Sequence, residues 1–149
     1  MLECGLAKIL PLIFVPWLDQ RPARLVYLLQ HTFGPPMTDC LFCRIVAGEI
    51  PAKKVYEDEH TFAFEDLDPQ GPTHVLIVPK KHIRGLKEAT PEEAEIVGRC
   101  HLTAAHVART RNIEEGYRTV LNVGPKSGQS VFHLHVHLIG GRNLSWPPG

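Results

Sequence analysis

Residues 132–141 read FHLHVHLIGG, and no other stretch constrains the chain as tightly. His133, His135 and His137 alternate with Leu134, Val136 and Leu138. A period of two belongs to an extended strand, where successive side chains point to opposite faces. The apolar set then anchors one face in a core, and all three imidazoles project from the other. Neighbouring rings stand about 6–7 Å apart, two strand residues, so one can handle a phosphate while others set its protonation. The competing readings are a polar strand face that carries histidines by chance and a metal-binding tract. Strict alternation backed by apolar residues favours an active site.

The rest of the chain bounds what that site can serve. At 149 residues, the length fits one domain with a core that needs no staples. Sixteen basic and sixteen acidic residues balance, which argues against a general nucleic-acid or anionic-membrane binder. A single nucleotide in a pocket needs only local donors and stays compatible. Four cysteines (Cys4, Cys40, Cys43, Cys100) occur without a convincing signal peptide. They read as reduced thiols or metal ligands rather than a disulfide framework.

Residues 1–36 differ in character. The apolar run at 9–18 is broken by Pro11 and Pro16 and is too short to span a membrane. It lacks the basic start and small-residue cleavage site of a secretory leader. Arg21 and Arg24, with few acids, leave a mitochondrial presequence open, but no clean amphipathic period supports it. The expectation is a start at Met37, with a domain over 37–149 and a cytoplasmic location; a targeting leader and an accessory segment are the alternatives. Pro35 and Pro36 mark the boundary.

Within the domain, Thr38 or Asp39 can cap a short helix through CLFCRIVAG, closed by Gly48. Strands are expected at 55–57, 61–67, 73–78 and 117–123, and through the histidine stretch. Asp68-Pro69-Gln70-Gly71-Pro72 is a turn. Thr90-Pro91-Glu92-Glu93 has the form of a capping box with proline at the first helical position. The helix it opens runs to about Arg111, with Ala94, Val97, Cys100 or His101, Ala104 and Val107 or Ala108 as its buried stripe. The order gives an α+β fold, an antiparallel sheet crossed by one long helix.

Before the histidines lies GPKSGQS, residues 124–130. Gly124 and Gly128 let backbone N–H groups converge on an anion, though the Walker A order is absent. Ser130 sits at the mouth of the strand, within reach of a phosphoryl oxygen or leaving group.

His133-Leu134-His135-Val136-His137-Leu138-Ile139 resembles the signature of the histidine triad superfamily. The likeness extends to Ile50-Pro51-Ala52-Lys53, to 68–74 (DPQGPTH), to 77–82 (IVPKKH), and to Gly140-Gly141-Arg142 with the ending WPPG. Together these residues are similar to the Hint branch over roughly 39–149. The resemblance implies a five-stranded antiparallel sheet with one long helix and a short N-terminal helix, and a homodimeric purine nucleoside phosphoramidase. His135 would be the nucleophile that forms a nucleotidyl-histidine, His137 a phosphate partner and Ser130 an aid to the departing amine. His74 would adjoin the triad. Asp66 would hold the ribose hydroxyls, Phe42, Ile45, Ile50, Phe64 and Leu67 would wall the base, and Asn122 and Gly128 would lie on the phosphate side. For the apolar set, plain core packing is the alternative.

Cys40 and Cys43 form a C-x-x-C that His82 and His133 could complete as a tetrahedral Cys₂His₂ zinc site. Some Hint relatives carry a structural zinc on this ligand set, and the resemblance implies Zn²⁺ here, with His133 structural and no organic cofactor. The rival functions are a dinucleoside polyphosphate hydrolase of a sibling branch and a nucleotide-binding interaction module with incidental turnover. The WPPG ending and Ser130 favour Hint over the sibling.

Overall fold

The structure, a computed structural model, describes residues 39–148. The expectations for residues 1–36 and for Thr38 as a cap lie outside the described residues. A short helix, α1 (Leu41–Val46), precedes β1 (Lys54–Glu57), β2 (Thr61–Glu65) and β3 (Thr73–Pro79). The long helix α2 (Ala94–Thr110), β4 (Tyr117–Val120) and β5 (Val136–Gly140) follow. The five strands form one antiparallel sheet in the order β1-β2-β3-β5-β4, so the fold is α+β as the pattern predicts.

Helices cover the central part of the sheet from both sides. Val75, Ile77, Val136 and Leu138 pack with Cys100, Ala104 and Val107 of α2 in one core. On the opposite face Phe62, Phe64, Leu76 and Val78 pack against Phe42 and Ile45 of α1. β3 is therefore buried at every position, as expected of a strand covered on both faces. Thr61 and Thr103 satisfy each other's buried hydroxyls at 2.9 Å where β2 meets α2.

The structure corrects several boundaries. The paired part of the histidine strand starts at Val136, so His133 and His135 approach the sheet as irregular chain and His137 alone of the three lies within the ladder. β2 ends at Glu65 and β4 at Val120, short of the expected 67 and 123, so Asp66 and Asn122 follow their strands. Cys40, not Thr38 or Asp39, is the N-cap of α1, and its side chain makes no capping bond. The box at Thr90 is present, with its N–H donating to Glu93 Oε2 at 2.7 Å. It opens a 3₁₀ turn (Pro91–Glu93) before α2 proper. Ala94 and His101 are exposed, while Thr103 joins Cys100, Ala104, Val107 and Ala108 in the buried stripe.

Leu138 is fully buried between sheet and α2, so Leu138→Ala should cost about 3 kcal/mol of stability, transfer plus cavity. Thr90→Ala removes only half of the capping box and should cost about 1 kcal/mol. Urea unfolding of both variants checks the ranking; equal costs would contradict this packing.

Candidate functional site: a relay of histidines beside a four-donor cluster

Alternation survives the shortened ladder. Leu134, Val136 and Leu138 are all buried in the α2 core, so the histidines share the opposite face, beneath α1. β3 lies antiparallel to β5, pairing His74 with Ile139 and Leu76 with His137. That register brings the His74 and His137 rings to a centroid separation of 5.1 Å, with His135 also 5.1 Å from His137. Phe42 of α1 packs edge-on against His135 at 5.2 Å.

The hydrogen bonds assign the protons. The Gln70 N–H donates to His74 Nδ1 at 3.0 Å, which leaves the proton of the neutral His74 ring on Nε2. His74 Nε2 then donates to His137 Nδ1 at 2.9 Å, placing the His137 proton on Nε2. That nitrogen is buried and has no partner among the described residues. Burial, with the nearby His135 and His74, pushes the His137 pKa down to about 4 against the opposing pull of Asp66, so the ring is neutral near pH 7. His135 Nδ1 lies 2.7 Å from the His133 carbonyl, which can only accept, so in the neutral ring Nδ1 carries the proton and Nε2 a lone pair. The result is a lone-pair nitrogen on one ring and an unsatisfied N–H donor on the next, with ring centroids 5.1 Å apart, the two kinds of group that attack on a phosphoryl group requires. The Asp66 carboxylate adjoins both partners of the relay, 3.4 Å from His74 Nε2 and 3.8 Å from His137 Nδ1.

A second cluster lies behind the first. Ligand atoms of Cys40, Cys43, His82 and His133 all fall within 4.8 Å of one another. His82 Nδ1 is 3.2 Å from Cys43 Sγ, and His133 Nδ1 is 3.4 and 3.5 Å from Cys40 and Cys43 Sγ. Tetrahedral zinc with its usual bond lengths would set sulfur and nitrogen about 3.6 Å apart. His133 Nε2 donates to the Pro79 carbonyl at 2.9 Å, which leaves Nδ1 as a lone pair aimed at the sulfurs, the usual outer support of a ligating histidine. Burial pushes the His133 pKa down to about 4 and lowers that of His82. Burial, then the hydrogen bond to Cys40, pushes the Cys43 thiol up to about 12. The imidazoles are thus ready donors, while the Cys43 thiol keeps its proton until a soft cation displaces it. The donor set and spacing fit zinc.

The remaining expected residues surround these clusters unevenly. Phe42, Ile45 and Phe64 are buried and Ile50 is half-buried, whereas Leu67 is fully exposed. Ile45 and Ile50 also line a cavity of about 360 Å³ with Phe62 and Ala52, rimmed by Lys54 and Glu57. In the 124–130 loop, Gly124 and Gly128 take φ of 80° and 90°, the left-handed region that glycine permits. A Cβ at Gly128 would meet Asn122 Nδ2 at 3.8 Å, so these two positions adjoin. Ser130 is exposed at the loop's end.

Sequence reasoning missed Gln129, which is buried. Its Oε1 accepts from the Gly124 N–H at 2.8 Å, and its Nε2 donates to the Arg84 and Val131 carbonyls at 3.1 and 3.3 Å. It closes the loop and ties it to the segment after His82. A glutamine between Gly128 and Ser130 carries no periodic signal that would mark it as buried.

Residues 47–144 match the HIT domain family. The chain is 48% identical to a 14 kDa zinc-binding protein of Brassica juncea, over 74% of this chain and all of the relative. It is 45% identical to adenylylsulfatase HINT1 of Arabidopsis thaliana, over 77% of this chain and 80% of the relative. Among solved structures, a HIT family hydrolase from Legionella pneumophila superposes with a TM-score of 0.73 at 46% identity, covering 74% of this chain and all of that one. The chain belongs to the HIT domain family and, within it, to the Hint-type branch.

Proposed function

We propose that the protein is a hydrolase that cleaves the P–N bond of purine nucleoside 5′-phosphoramidates through a nucleotidyl-histidine intermediate. One observation carries this reading: the His135 ring, whose Nε2 keeps a lone pair, lies 5.1 Å centroid to centroid from the His137 ring, whose Nε2 is buried and unpartnered among the described residues. His135 Nε2 attacks the α-phosphorus, a P–N bond to the imidazole forms, and the bond to the substrate amine breaks. His137 holds a phosphoryl oxygen, and the Ser130 hydroxyl assists protonation of the departing amine. Water then attacks phosphorus and His135 leaves, regenerating the enzyme. Imidazole suits both roles, being nucleophilic when neutral and a good leaving group from phosphorus.

On this reading Asp66 accepts the ribose hydroxyls, and Phe42, Ile45, Ile50 and Phe64 wall the base. Leu67, exposed here, is the wall residue whose surroundings a bound base would change most. Asn122 and Gly128 shape the phosphate side. The Arabidopsis relative, an adenylylsulfatase, favours a second substrate, an adenylyl sulfate, whose leaving sulfate needs no proton. Both would pass through the same His135 intermediate, and only the phosphoramidate would depend on Ser130.

Cys40, Cys43, His82 and His133 would hold a structural zinc, whose charge keeps both cysteines as thiolates and ties α1 to the chain before β5. Such thiols persist in a reducing compartment, in keeping with a cytoplasmic location. Among the described residues no helix is long and apolar enough to cross a membrane. A homodimer fits the unpaired outer edge of β4 and the exposed Leu102 on α2.

His135→Ala should lower turnover of an adenosine 5′-phosphoramidate by at least roughly 10³-fold, and His137→Ala by about 10²-fold. An undiminished His135→Ala rate would refute the nucleophile. The purified protein should hold about one zinc per chain, and the Cys40→Ser/Cys43→Ser double variant close to none, by elemental analysis. Sedimentation should give twice the chain mass, with Leu102→Glu shifted toward monomer; a monomeric parent would contradict the dimer.

A further inference from the structure

His133 occupies an unusual position between the two clusters. Its ring is fully buried and held at both nitrogens, Nε2 by the Pro79 carbonyl and Nδ1 by the sulfurs of Cys40 and Cys43. Its own carbonyl receives the His135 Nδ1–H at 2.7 Å. The same peptide unit bears the Leu134 N–H, which donates to the Ile83 carbonyl at 2.6 Å, one residue beyond His82. One peptide plane therefore sets the His135 ring on one side and is pinned to a neighbour of His82 on the other.

No sheet ladder holds this plane, because β5 begins only at Val136. Its orientation depends on the Ile83 carbonyl, one residue beyond the cluster member His82, and on the His133 side chain, which itself belongs to the cluster. Phe42 adds a third link, since it lies on α1 between Cys40 and Cys43 and packs against both His133 and His135.

We propose that His133 is a positioning residue for the nucleophile: a soft cation on Cys40, Cys43, His82 and His133 locks the 133–134 peptide, and this peptide holds His135 with its Nε2 lone pair facing the substrate. The inference rests on the reading of His135 as nucleophile. It differs from a purely structural metal in what metal removal does to one ring.

The test compares zinc-loaded protein, protein stripped by a chelator, and stripped protein with zinc restored. Long-range ¹⁵N–¹H NMR reads the His135 tautomer, hydrogen exchange reads the Leu134 amide, and steady-state kinetics separates kcat from KM. With zinc, His135 should show one tautomer, protonated at Nδ1. Without it, both tautomers should appear, Leu134 exchange should quicken about tenfold, and kcat should fall about tenfold at nearly constant KM. Restoring zinc should reverse all three.

Should stripping unfold the chain, Cys40→Ser replaces it. Serine suits the N-cap of α1 that Cys40 occupies while weakening the donor set. A His135 tautomer and a Leu134 exchange rate unmoved by zinc would overturn the proposal, as would protein that binds no zinc. Loaded protein that shows the tautomer shift but cleaves no phosphoramidate would overturn the reading of function and leave the positioning role standing.

Discussion

The site depends on the burial of Leu134, Val136 and Leu138 against α2. A strand with alternate side chains locked in a core cannot slip by one residue without turning its whole apolar set to the other face. On β5 such a slip would also carry the histidines into the α2 core, where no polar partner awaits them. The α2 core therefore fixes which way the imidazoles point, and the β3 register then decides what they meet. His74, Leu76 and Val78 share the face that holds His137, so one histidine of β3 falls beside it and two apolar residues extend away beneath α1. The geometry of the histidine cluster follows from packing on the far side of the sheet.

How much of this the sequence disclosed depends on the distance over which each feature is set. The histidine alternation, the C-x-x-C and the capping box at Thr90 are local patterns with a local physical cause, and each is found where the spacing predicts. The proximity of His74 to His137 and of His82 to Cys43 is a matter of strand register and loop path, which periodicity does not encode. For those residues only the family resemblance pointed the way. The strand ends were misjudged because Leu67 and Val123 extend their strands in composition while the ladder has already ended. Gln129 escaped notice because an amide can satisfy either water or backbone, and composition does not say which.

Burying this many polar rings runs against the hydrophobic packing around them. His74 and His133 offset the cost by pairing both ring nitrogens, with backbone groups, His137 or the cysteine sulfurs, and His135 pairs its Nδ1–H with the His133 carbonyl. The exception is His137 Nε2, and a buried donor without a partner costs about 1–3 kcal/mol. A phosphoryl oxygen placed there would relieve that penalty, so part of the binding energy is stored in the free protein as an unsatisfied group. A local defect in polar pairing, when the other buried side-chain nitrogens and oxygens among the described residues have partners, is where function would be expected.

The proton pattern also has a source that does not itself titrate. The Gln70 N–H fixes the His74 tautomer, the Pro79 carbonyl fixes that of His133, and the His133 carbonyl fixes that of His135. Backbone amides have one protonation state, so while the rings are neutral the fold alone dictates which nitrogen donates and which offers a lone pair. A carboxylate in the same role would gain and lose its influence with pH. Asp66 stands farther from the relay, at 3.4 Å from His74, and so adds charge beside it without assigning its protons. Tautomers set by backbone and charge set by one neighbouring acid are separable controls, so chemically identical side chains in one row present different nitrogens to their surroundings.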